Sequence, residues 1–158
     1  MALGPRSLKL SRMKDDARWW RLIASAFPSP QALREALASL SREELVELGV
    51  FVFEATRQVR EPWRGPRGMS EDDTEDLTAF VVAQGEAYWR EAVGAKDETL
   101  LACAALMKAV ASPEHPRRWS ALDGTVSIGF EVFEEFERRF GDDTYLDALD
   151  AALDSKPT

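Results

Sequence analysis

The stretch Leu40-Ser41-Arg42-Glu43-Glu44-Leu45 narrows the possible folds more than any other part of this chain. Ser41 and Glu44 stand three residues apart as a capping box, each side chain suited to the other's free backbone N–H, and Leu40 and Leu45 are spaced for a hydrophobic staple. A helix therefore starts at Arg42. Its Leu45, Leu48, Val52 and Val59 recur at helical spacing, Phe51 and Phe53 widen the apolar surface, and the helix ends before Pro62.

Similar signals recur along the chain. From Lys14 to Phe27, Trp19, Leu22, Ile23 and Ala26 share a helix face and Pro28 stops it, with Trp20, about 100° round from Trp19, read as half-exposed. Ser29-Pro30 is a cap followed by proline at the first helical position, and it opens a short helix through Leu33, Ala36, Leu37 and Leu40. Ser70 caps another helix, with Asp73 as a short-armed capping-box acid. On that helix Leu77, Phe80, Val81, Gln84 and Tyr88 form one face, and it runs to about Gly94.

Asp97 reads as the cap of a helix from Glu98 to Ala111, apolar on most sides, so Cys103 reads as a core residue and not a nucleophile. Residues 112–127, with His115 and Trp119, read as a linker. Two last helices follow, Ile128 to Phe140 and Asp143 to Leu153. The first has Phe130, Val132, Phe133, Phe136 and Phe140 on its inner side. Nothing alternates with period two for long enough to make a strand, so the expectation is an all-α, single-domain bundle of about six to seven helices. Residues 1–12 read as an irregular basic arm, 13–154 as the helical domain and 155–158 as a disordered tail.

With 158 residues, 45% of them hydrophobic, one domain with a real core is expected. The net charge of −8 disfavours general binding to phosphate backbones. A single cysteine excludes an internal disulfide, and one histidine leaves too few ligands for an ordinary zinc site. No apolar segment reaches membrane-spanning length and no signal-peptide core is found, so a cytoplasmic location is expected. No catalytic or cofactor-binding signature is found, and neither a catalytic residue nor a metal is assigned.

Two features stand out as candidate sites. The loop from Glu61 to Gly68 carries Trp63, Arg64 and Arg67 and leads into Ser70, Glu71, Asp72, Asp73, Glu75 and Asp76. An aromatic and two cations beside these acids suit a small polar pocket. The plainer reading has acids matched to a helix dipole, Trp63 in the core, and surface ion pairs from the arginines worth roughly 0–1 kcal/mol. The other feature is acidic. Glu131, Glu134 and Glu135 face outward on one C-terminal helix, and Asp143, Asp147, Asp150 and Asp154 fall within about 60° of one another on the next. Like charges at this spacing cost a helix a few tenths of a kcal/mol each, so the stripe is either solubilising surface or a face for a basic partner.

Trp19-Trp20-Arg21-Leu22-Ile23, Leu40-Ser41-Arg42-Glu43-Glu44-Leu45, Trp63, Gly68-Met69-Ser70-Glu71-Asp72 and Ala79-Phe80-Val81-Val82-Ala83-Gln84-Gly85, in that order, resemble a bacterial domain-of-unknown-function family. The family pattern is an early Phe-Trp-x-Leu-Ile, a Trp, a Gly-x-Ser-Asp-Asp turn and a Phe-Arg-x-Trp-Leu-Ile-x-x-Gly helix. The likeness covers Trp19 to Ala92, with a weaker echo over Val132 to Phe140. Glu71 stands at the first Asp of the turn, Thr78 stands at the family arginine, and the segment between Trp63 and Gly68 is shorter. The resemblance implies a small, mainly helical bacterial protein and brings no activity with it.

Two functions follow as expectations. The first is a non-enzymatic, acidic interaction module that binds a basic protein surface, as an immunity protein or antitoxin-like inhibitor does. The alternative is a metal- or anionic-ligand-binding domain, or a hydrolytic one, using the acids of 71–76, with Arg64 or Arg67 on an anionic substrate.

Overall fold

In a computed structural model the described residues are 5–26, 29–60, 64–110, 127–141 and 143–155, with side chains described from Asp16 onward. They form eight helices and no strand: α1 (Pro5–Ala26), α2 (Pro30–Ala38), α3 (Arg42–Val59), α4 (Glu71–Ala83), α5 (Glu86–Ala92), α6 (Asp97–Val110), α7 (Ile128–Phe140) and α8 (Tyr145–Asp154).

The capping signals explain the helix starts. Ser41 Oγ accepts from Glu44 N–H at 3.1 Å and Glu44 Oε2 accepts from Ser41 N–H at 2.9 Å, so the box is closed. Glu44 also pairs with Arg18 of α1. That guanidinium first, and the Ser41 N–H second, hold the Glu44 carboxyl below its ordinary value of 4.5. At Ser70 the cap is one-sided. Its Oγ accepts from Asp73 N–H at 3.1 Å, but Asp73, a methylene shorter than Glu44, does not return the bond.

Four boundaries differ from the sequence reading. The expected long helix over 70–94 is two helices, because Gly85 takes φ 99° and breaks the ladder after Gln84; this accounts for an eighth helix where six to seven are expected. Helix α1 reaches back to Pro5, into the residues read as an irregular arm; a proline needs no intrahelical N–H partner at a helix's first position. Asp97 is the first residue of α6 rather than its cap, and it pairs with Arg60 at the end of α3. Asp143 stands before α8 with φ 63°, in the left-handed region, so the last helix begins at Tyr145. The linker reading of 112–127 with His115 and Trp119, most of the tail, and Trp63 lie outside the described residues, Ser127 aside.

Helix α3 is the centre, packing against α1, α4, α7 and α8. A broad face of it is buried: Leu45, Leu48, Phe51, Val52 and Ala55 join one hydrophobic cluster, and Val59, two turns beyond Val52 on the same stripe, joins another. The first cluster takes Trp19, Trp20, Ile23, Leu33 and Leu37 from α1 and α2, and Ile128, Val132, Phe136 and Tyr145 from α7 and α8. Trp20 is therefore no rim residue. It is 6% exposed, edge-on to Phe51 at 5.0 Å and against Trp89 at 5.2 Å. The second cluster joins Leu77, Phe80 and Val81 of α4 to Leu100, Cys103 and Ala104 of α6. Cys103 is buried there, but α6, apolar on most sides, is buried on one side only, with Leu101, Ala102 and Ala105 exposed.

Helix α8 approaches α3 at Gly49. A Cβ on Gly49 would overlap Tyr145 Oη and stand 3.2 Å from Cζ. Gly49→Ala should destabilise the protein by about 1–3 kcal/mol through overpacking. Tyr145→Phe in the same chain, by removing the overlapping hydroxyl, should recover part of that loss in urea unfolding. Equal loss in the single and double variants would show that α8 is not seated on Gly49.

Candidate functional site

The described part of the loop before α4, residues 64–70, packs against the start of that helix. Pro66 is buried, Met69 N–H donates to Pro66 O at 3.0 Å, and a Cβ on Gly65 would meet Thr74 Oγ1 and stand 3.2 Å from Met69 Cβ. The apolar side of the loop is thus folded onto the start of α4, which leaves Arg64 and Arg67 exposed. Neither is ion-paired with Glu71, Asp72 or Glu75 among the described residues, so the expected surface pairs are not formed. Trp63 lies outside the described residues.

The acids of α4 spread around its first two turns. Among the described residues no three His, Cys, Asp or Glu side chains come together as metal ligands. Asp76 shows the strain of the cluster: partial burial first, then the charges of Asp73 and Asp72, raise its carboxyl above the usual carboxylate range. Thr78 is fully buried, and its Oγ1 donates to Glu75 O at 2.9 Å.

The C-terminal helices are different in kind. Ser127 Oγ accepts from Phe130 N–H at 3.2 Å and starts α7, and Gly141 at φ 107° ends it. Two tethers hold α7 to α2 and the α2–α3 turn: Arg34 pairs with Glu131 at 3.3 Å, and Arg139 Nη1 donates to Leu40 O at 2.7 Å. Glu137 provides the cap that α8 lacks locally. Its Oε1 accepts from Tyr145 N–H at 2.8 Å and Thr144 N–H at 3.2 Å. Burial pushes the Tyr145 phenol up to about 12, so it stays neutral beneath the hairpin.

The seven acids expected on this surface fall into three groups. Glu134, Asp147, Asp150 and Asp154 are exposed on α7 and α8. Asp143 is exposed too, but it stands in the turn, so the stripe on α8 has three aspartates and not four. Glu131 and Glu135 are not outward-facing: the first pairs with Arg34, and the second with Arg138 at 2.7 Å and Arg139 at 3.7 Å.

The sequence reading placed Phe130 inside, but it is 59% exposed, and Leu146 beside Tyr145 is 60% exposed. The signal for Phe130 was present: two residues from fully buried Val132, it lies about 200° round the helix and points away from the core. Phe130 leans on Phe133 at 6.3 Å, which in turn meets Tyr145 edge-on at 5.7 Å. An aromatic row therefore runs from solvent to the core beneath α8.

Comparisons of the chain with protein-family models, curated proteins and solved structures gave no match. No helix among the described residues is long and apolar enough to cross a membrane.

Two outcomes test this electrostatic picture. Glu137→Ala should cost about 0.5–2 kcal/mol, the worth of a lost helix cap, while Glu134→Ala should be nearly neutral; equal effects in thermal unfolding would mean that Glu137 is no cap. For Asp76 the folded carboxyl binds its proton more tightly than the unfolded one. The ionised group therefore costs stability above its raised folded value, and that cost fades as the pH falls toward the unfolded value. Asp76→Asn should stabilise the protein by a few tenths of a kcal/mol at neutral pH and by nothing near pH ~3, as read from urea midpoints across that range.

Proposed function

We propose that this protein is a non-enzymatic, acidic interaction module that binds a basic surface of another protein, in the manner of an immunity or antitoxin-like inhibitor. The observation that carries this reading is the concentration of charge. Between Ser127 and Ser155 nine acids face only Arg138 and Arg139, so this segment holds seven of the chain's eight net negative charges. It spans α7 and α8, where Glu134, Asp147, Asp150 and Asp154 are exposed. Charge of one sign on one face steers an oppositely charged partner and disfavours nucleic acid.

Folding alone gives little reason for such a face. The aspartates of α8 are i,i+3 and i,i+4 neighbours that repel one another, and Asp is a weaker helix former than Glu. We further propose membership of the bacterial family that the motifs resemble. The motif residues Ser70 and Gly85 act here as a helix cap and a helix break.

Affinity capture from the source lysate at low salt should retain a basic protein that high salt releases. The double variant Asp147→Lys, Asp150→Lys should reduce its association rate at least tenfold. A partner held equally at both salts, and equally by the double variant, would count against the proposal.

A further inference from the structure

We infer that the acidic face is centred on an apolar anchor, Phe130, and that its occupant is a basic amphipathic helix of another protein. This rests on the acidic-module reading above and adds what the partner must present. Of the three large hydrophobic side chains exposed among the described residues, two, Phe130 and Leu146, lie on α7 and α8, the segment that holds the excess charge.

Phe130 has the setting of an interface anchor. It is 59% exposed, yet its ring is backed by Phe133 at 6.3 Å, and Phe133 by Tyr145 at 5.7 Å. The ring is therefore held on one side by a row that ends in the core, and little side-chain freedom remains to be lost on binding. Large aromatic groups of this kind carry most of the energy where partners meet, while surrounding charges set the rate and exclude wrong partners.

Charge complementarity selects the occupant. Glu134 follows Phe130 by one helical turn, and Asp147 follows Leu146 directly. A second copy of this chain would set acid against acid across the contact. A helix with leucines on one face and lysines or arginines flanking them meets both the ring and the acids. Phe130 then governs how long the complex lasts, and the acids govern how fast it forms.

The probe is a synthetic 14-residue helix of leucine and lysine, compared with the same peptide carrying alanine for every leucine at equal charge. Binding to the full chain is followed by fluorescence anisotropy at 50 and 150 mM salt, for the wild type and for Phe130→Ala, Asp147→Lys plus Asp150→Lys, and Leu101→Ala, the last removing the third exposed hydrophobic. The expected result is tighter binding of the leucine peptide by tenfold or more, lost in Phe130→Ala and kept in Leu101→Ala. The alanine peptide should bind weakly and alike to wild type and Phe130→Ala. If Phe130→Ala binds the leucine peptide as well as wild type while charge reversal abolishes binding, the anchor is refuted and the acidic face survives. If neither variant changes binding, or neither peptide binds, both fail. Concentration-dependent dimerisation in sedimentation that Phe130→Ala abolishes would also overturn the inference, making a second copy the occupant.

Discussion

The hydrogen bond from Trp89 Nε1 to Ala55 O, 2.9 Å long, fixes a side chain at which the two hydrophobic clusters of this fold meet. It joins α5 to the C-terminal part of α3, and its indole packs against both clusters. A buried indole N–H without an acceptor is costly, so the bond also fixes where the ring sits. That position requires the break between α4 and α5. Were the helix continuous through Gly85, α5 would extend the axis of α4 instead of turning back, and only a residue tolerant of φ 99° allows the turn without strain. From Trp89 the contact passes to Trp20 and then Phe51, which ties α1 into the same junction.

Because α3 packs against α1, α4, α7 and α8, the elements around it answer to one another through it. Tyr145 fills the space that Gly49 leaves open, and Arg139 closes the α2–α3 turn by donating to Leu40 O. The pair α7–α8 thus meets the core through its inner aromatic residues, while most of its polar contacts lie at the ends. Glu137 has a double part. It spends one of the segment's acids on capping α8, as Arg34 and Arg138 neutralise Glu131 and Glu135, and the acids left over are those turned to solvent.

Much of this fold was legible in the residues. Ser29, Ser41 and Ser70 each start a helix by the expected backbone bond, since capping is local and needs only neighbours in sequence, and Ser127, read as the end of a linker, does the same for α7. What depends on distant contacts was harder to read. Trp20 is buried because Phe51 and Trp89 arrive from other helices, and Glu137 caps α8 across a turn, so neither follows from its own neighbours. Phe130 is an error of another kind. Its angle on the helix was available, but a run of phenylalanines at nearly helical spacing invites grouping them all as core. The acidic face was legible in outline and not in detail, because the arginines that neutralise Glu131 and Glu135 come partly from α2 and partly from the next turn of α7.

The remaining excess of acids bears on how the protein behaves by itself. Outside residues 127–155 acids and bases nearly balance in number, so almost all of the net −8 belongs to that one segment. Concentrated in this way, the excess acts on few of the contacts that hold the two clusters together, most of which are apolar and insensitive to charge. It acts strongly on encounters. Two copies meeting through α7 and α8 repel, which protects the exposed rings of Phe130 and Leu146 from self-association at the cost of a small loss in helix stability. Screening by salt weakens that protection, and would weaken the attraction to the basic partner proposed above with it, because both rest on the same exposed carboxylates.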